Sequence, residues 1–192
     1  MTQPAKVLEK GDVRRVLKHV VGNRYPFRDR VIVLLSFKAG LRACEIGGLS
    51  WSMVLDARGR VDEHINIARS IAKKGSGRRV PIHNDLRAAL LALHREQARP
   101  RDGPIIRSER GGHMRAGSIV NWFREIYRQL GLLSCSSHSG RRTFITTAAR
   151  RLPRIGASLR DVQELAGHRS LTTTERYIQG NRDAQRKLVA LI

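Results

Sequence analysis

Apolar side chains recur at helical spacing along most of the chain and alternate with polar ones over one short stretch only. Val13, Val16, Leu17 and Val20 mark one face of a first helix, with Asp12 placed to cap it. Pro26 opens a second apolar segment, residues 27–39, and Gly40 is the residue type that ends such a helix. Residues 43–48 predict a short helix whose apolar positions, with Trp51, belong to the core. The period then changes. Ile65 and Ile67 alternate against polar neighbours within 61–71, Lys73-Lys74-Gly75-Ser76-Gly77 reads as a turn, and residues 78–82 return as a strand. Together with residues 53–55 this predicts a small antiparallel sheet. Pro81 has no N–H to give, so the returning strand is exposed or ends there.

From Asn84 onward the pattern is helical again. Asn84 or Asp85 caps a segment bearing Leu86, Leu90, Leu91 and Leu93, which Pro100 to Pro104 break. Ser118 precedes a helix with Ile119, Trp122, Phe123, Ile126 and Leu130, closed by Gly131. Further helices are predicted at 140–151, 159–166, 172–178 and 183–191. The expected fold class is mainly α with a small antiparallel β-sheet, in one domain over 1–192.

Charge narrows the function. Lys and Arg number 37 against 16 Asp and Glu, a formal net charge of +21. A genomic bias can favour arginine over lysine, but it does not explain the scarcity of acids, so nucleic acid is the expected partner. Cys44 and Cys135 are too few for a disulfide framework or a cysteine-rich zinc site and read as small core residues. No segment reaches membrane-spanning length and the start is not a signal peptide, which points to a soluble, cytoplasmic protein without a membrane partner.

The densest chemistry lies near the end, where His168 precedes Tyr177 within Gly167-His168-Arg169-Ser170-Leu171-Thr172-Thr173-Thr174-Glu175-Arg176-Tyr177. A tyrosine hydroxyl can attack a phosphodiester when cations hold the phosphate and the leaving oxygen is protonated. Arg42, Lys74, His138 and Arg141 lie upstream as parts for that task. Taken singly, each has a plainer reading: a packed aromatic, a solvated arginine, a surface histidine. His19, His64, His83, His94 and His113 keep that plainer reading.

In order along the chain, Ala39-Gly40-Leu41-Arg42-Ala43-Cys44-Glu45-Ile46, Lys74 to Ile82, His138-Ser139-Gly140-Arg141, and Gly167-His168 through Tyr177 resemble the arginine, β-turn lysine, His-x-x-Arg and nucleophile boxes of the tyrosine recombinases, or phage integrases. The resemblance covers nearly the whole chain. It implies a role for each position. Tyr177 attacks the scissile phosphate to form a 3′-phosphotyrosine. Arg42 and Arg141 hold the non-bridging oxygens through their planar, permanently charged forks. Lys74 protonates the departing 5′-oxygen, and His138 and His168 orient the phosphate and manage protons. Glu45 supports Arg42, while Lys73, Arg78, Arg79 and Arg142 read as DNA contacts.

The implied function is site-specific DNA recombination on double-stranded DNA with no metal and no ATP, hence no cofactor, by a homo-tetramer assembled on DNA. The residues around Leu188, Val189 and Leu191 form an amphipathic tail that packs on a neighbouring protomer or on its own domain. Two alternatives remain at this level: a type IB topoisomerase-like enzyme, and a non-catalytic DNA-binding or regulatory derivative. The chain departs from the family pattern at Gly140, where a large apolar residue is usual, at Arg142, where a histidine is common, and at 151–156, which reads as a local insertion. Only about forty residues precede Arg42, less than a usual domain, so the expectation is a catalytic domain without the family's N-terminal clamp, either as a naturally short protein or as a fragment of a longer chain.

Overall fold

The computed structural model describes residues 5–177, Arg186, Val189 and Ala190, with Lys74 described in its backbone alone. The expected helix at 183–191, and with it the amphipathic tail, falls outside those residues but for the three named.

A central helix organises the rest. Helix α1 (Lys10–His19) leads to α2 (Pro26–Lys38), in which Val31, Ile32, Val33, Leu34 and Leu35 are all fully buried. A helix apolar on every side must be surrounded, and α4 (Asn84–Glu96) and α6 (Ser139–Ile155) both pack against it. Pro26 occupies the first turn of α2, where its missing N–H costs nothing. Gly40 follows the C-terminus at φ +64°, and the Leu41 amide returns to the Leu35 carbonyl. The chain thereby turns sharply into α3 (Ala43–Gly48), which packs on α5 (Ala116–Gln129).

The sheet is smaller than the sequence predicts. Strand β1 (His64–Ile67) pairs antiparallel with β2 (Arg78–Pro81), with Ile65 opposite Val80. Residues 51–53 form a 3₁₀ turn instead of a third strand, and Leu55 makes only an isolated bridge to Val61. Trp51 explains this: its ring is fully buried against His94 and its indole N–H donates to Gln97, so the segment is pinned to α4 rather than to the sheet. The strand ends at Pro81, as the missing N–H requires.

Caps are displaced by one to three residues. Asp12 lies inside the first turn of α1, not at its cap, and His83 rather than Asn84 or Asp85 caps α4 through Nδ1, which accepts the Asp85 amide at 3.1 Å. Helix α6 runs on through Pro153 to Ile155 and stops at Gly156, φ +65°, so residues 151–155 extend a helix. Helices α7 (Leu159–Ala166) and α8 (Leu171–Glu175) follow, and Ile145, Val162 and Ala166 close a second small core with Phe144 and Tyr177 packed on it. Cys44 is exposed and fills no core.

Candidate active site

Four chain turns converge: the Gly40 turn before α3, the β1–β2 hairpin, the start of α6 and the end of α7. Arg141, in the first turn of α6, is 4% exposed. Its guanidinium donates to the Gly40 carbonyl at 2.6 Å and to the Ala166 carbonyl at 2.5 Å. Both carbonyls lie at helix C-termini, where unsatisfied oxygens attract cations. Burial above all, then the charge of Arg42, pushes its pKa down to about 10, which leaves it charged at neutral pH.

Gly140 answers the departure from the family pattern. A Cβ there would stand 2.2 Å from Ser36 Oγ and 3.1 Å from the Phe37 ring. The helices α2 and α6 meet so closely that the large residue usual at this point has no room. Gly40 has a matching constraint, since a Cβ would fall 2.5 Å from the Phe144 ring.

Arg42 caps α3, and Glu45 reaches back to it. The Glu45 carboxylate accepts the Arg42 amide at 2.9 Å and Nη1 at 3.2 Å, the reciprocal contact of a capping box. Glu45 is fully buried. Burial by itself would raise its pKa, but the hydrogen bonds and charge of Arg78, then the Arg42 amide and guanidinium, outweigh that and lower it. Arg78 is the surprise. Its side chain is 7% exposed and grips both Glu45 oxygens at 2.8 and 3.0 Å, while Nε donates to the Leu165 carbonyl at 2.9 Å. A surface phosphate contact is expected there from the sequence; the side chain instead lies inside, tying β2 to α3 and α7. A carboxylate in the apolar start of α3 is the signal, because Arg42 alone, 17% exposed at its side chain, does not satisfy it.

The hairpin turn carries Lys73 and Lys74 in one 3₁₀ turn, Lys73–Gly75. Lys73 is exposed. Ser76 Oγ donates to the Lys73 carbonyl at 3.0 Å and approaches the Gly167 carbonyl at 3.4 Å, so the turn leans on the end of α7. Arg79 is exposed beside the groove between hairpin and α7, which Ser76, Gly77, Gln163, His168 and Arg169 also line.

His168 follows the left-handed Gly167 that ends α7, at φ +63°. The residue is 9% exposed, and Nδ1 lies 2.9 Å from the buried Thr174 hydroxyl, a partner not evident from sequence. Burial first, then Arg141, Arg42 and Arg78, push its pKa down to about 4, so it is neutral at pH 7. The Tyr177 ring stacks on it, and the Arg142 guanidinium lies 5.7 Å above the Tyr177 centroid. Arg142 thus faces the tyrosine as well as solvent. His138 sits exposed at the cap of α6, its pKa lowered by partial burial, then by Arg141, Lys73 and Arg42.

The sequence profile of the phage integrase family matches residues 6–183. The chain belongs to the phage integrase family. Among relatives in that family, the tyrosine recombinase XerC of Myxococcus xanthus is 32% identical over 184 residues, covering 90% of this chain and 54% of its own. The tyrosine recombinase XerC of Brucella suis is 32% identical over 161 residues, covering 78% and 45%. The chain therefore spans about half the length of the curated integrase relatives it matches. In solved structures the integrase fold recurs in XerA recombinase, with TM-score 0.74, 22% identity and coverage of 100% of this chain and 66% of that one. A lambda integrase dimer bound to a COC′ core site gives TM-score 0.68 at 19% identity, with coverage of 92% and 49%. At these identities the likeness establishes the fold. Among the described residues, no helix is long and apolar enough to cross a membrane.

Proposed function

We propose that this chain is the strand-cleaving part of a site-specific DNA recombinase that works through a 3′-phosphotyrosine. The observation that carries the reading is the buried Arg141, held between the Gly40 and Ala166 carbonyls beside the stacked His168 and Tyr177. Those two bonds leave further N–H donors on the guanidinium, and a phosphate oxygen is the natural occupant of them.

In this reading the Tyr177 oxygen attacks phosphorus. One P–O bond forms to the phenol as the bond to the 5′-oxygen breaks. The phenolic proton passes to a neutral acceptor, for which His168 has the right protonation state. Lys74 gives the leaving oxygen its proton. Arg42 and Arg141 meet the charge that grows on the non-bridging oxygens, and His138 orients the phosphate. Rejoining to another strand reverses the sequence with a new 5′-hydroxyl, so no bond energy is lost and no metal or nucleotide is consumed. The +21 charge supports double-stranded DNA as substrate. Exposed Lys73 and Arg79, with Arg142, are assigned to DNA contact, and a homo-tetramer on DNA is the expected assembly.

The test is covalent capture. Nicked duplexes drawn from a randomised pool are incubated with the chain, and adducts surviving denaturation are sequenced. An adduct on Tyr177, mapped by peptide mass, supports the reading; binding with no adduct on any duplex turns it toward a non-catalytic DNA-binding protein.

A further inference from the structure

Glu45 lies in contact with two cations, Arg42 and Arg78, and the strand-cleavage reading gives the phosphate to Arg42 alone of the two. Arg78 takes both carboxylate oxygens, at 2.8 and 3.0 Å. Arg42 is left with a single side-chain contact to Glu45, at 3.2 Å, and is 17% exposed at its side chain. Around this carboxylate and Arg141 the three arginines outnumber the one acid, so the pocket keeps a surplus of positive charge. Arg78 itself is held by the Leu165 carbonyl on the far side, with its side chain only 7% exposed. Gly167 makes the space for it: a Cβ there would stand 2.9 Å from Arg78 Nη1.

We infer that Arg78 is a positioning residue for strand cleavage, saturating Glu45 so that Arg42 stays free to hold the phosphate. Without Arg78, the buried carboxylate has Arg42 as its one remaining guanidinium partner. The attraction between unit charges in a poorly hydrated site is strong, and it draws Arg42 onto Glu45. The pocket then loses a net charge and a phosphate donor together, although neither Arg42 nor Arg141 has changed. The inference rests on the strand-cleavage reading above. It assigns to Arg78 a task inside the protein in place of a DNA contact.

The experiment compares single-turnover adduct formation by wild type, Arg78→Met, Arg78→Lys, Glu45→Gln and the double variant Arg78→Met/Glu45→Gln on a captured duplex. A second duplex carries a neutral methylphosphonate at the mapped scissile position. Arg78→Met should lose cleavage by about a hundred-fold, the size expected when one oxyanion donor is removed, while DNA affinity holds. Arg78→Lys, which keeps the charge, should lose less. The double variant should recover most of the rate, because a neutral glutamine no longer competes for Arg42. On the methylphosphonate, which lacks one charged oxygen, the penalty of Arg78→Met should shrink. A purely structural Arg78 predicts equal losses on both duplexes and no recovery in the double variant, and either result overturns the assignment. Melting curves check that each variant folds; if Arg78→Met does not, Arg78→Lys carries the two-duplex comparison. If wild type forms no adduct, the strand-cleavage reading falls and this inference with it. If wild type cleaves and Arg78→Met matches it, the Arg78 assignment alone falls.

Discussion

His168 and Tyr177 lie nearly face to face, with ring centroids 5.7 Å apart and planes 23° from parallel. The stack depends on the ring and not on the hydroxyl. Tyr177→Phe should therefore keep its packing on the small core of Ile145, Val162 and Ala166 and change stability by no more than about 0.5 kcal/mol. Covalent DNA capture should vanish while binding by gel shift persists. An adduct formed by the Phe variant would move the nucleophile elsewhere.

The two arginines assigned to the phosphate differ in what else they hold. Arg42→Ala should leave the fold intact and lower single-turnover cleavage by on the order of a hundred-fold or more, with little effect on affinity. Arg141→Ala should also lower stability, by about 1–3 kcal/mol, since it strands two buried carbonyls. Chemical denaturation beside cleavage assays separates the two. Equal losses of binding and cleavage at Arg42 would reduce it to an ordinary phosphate contact.

Restoring the large apolar residue that the family usually carries at position 140 should harm this protein. A Gly140→Leu side chain would meet Ser36 and Phe37 at once, and overpacking of this kind costs about 1–3 kcal/mol. The thermal midpoint should drop, and Ser36→Gly in the same chain should return part of the loss. An unchanged midpoint would mean that α2 and α6 can separate freely.

The pH dependence has a definite sign. The His168 pKa falls from 6.5 to about 4 on folding. Between those values the unfolded chain binds a proton that the native site refuses, so stability falls as pH drops through that window and levels off below it. Glu45, its pKa also lowered, adds a loss in the same direction as pH falls through its folded value. Denaturant midpoints at stepped pH should show this slope, and His168→Asn should flatten the upper part. A slope unaltered by that variant would place the titration elsewhere.

Binding to duplex DNA should be strongly salt-dependent. If about six phosphates are neutralised, affinity falls by on the order of a thousand-fold between 50 and 200 mM salt. A salt series on a captured and a scrambled duplex measures it. Tight binding that ignores salt would mean that base contacts, rather than the +21 surface, dominate.

The four boxes were legible because each sits where the backbone does something the sequence announces: the glycine after α2, the turn after Lys73, the caps of α6 and α7. Their convergence was not. Nothing in the order of residues says that the Gly40 and Ala166 carbonyls would share one guanidinium, or that Thr174 would meet His168. Arg78 reads as a DNA contact in the sequence because a strand arginine next to a basic turn usually points to water. Its burial follows from Glu45, on a different element. The third strand failed for a similar reason, since the demand of Trp51 for a buried, hydrogen-bonded place outweighed local β-propensity. Cys44 was assigned to the core from residue type alone, and helix α3 turns that position outward.

The hydrogen bond from Arg141 to Gly40 spans 101 positions in sequence, and that from Arg78 to Leu165 spans 87. Contacts between such distant segments form late, after the costs of closing large loops have been met. A chain still being synthesised, or one partly unfolded, thus holds its tyrosine and its cations far apart. In the strand-cleavage reading proposed above, the capacity to break DNA arises only with the finished fold, so an immature copy is a harmless one.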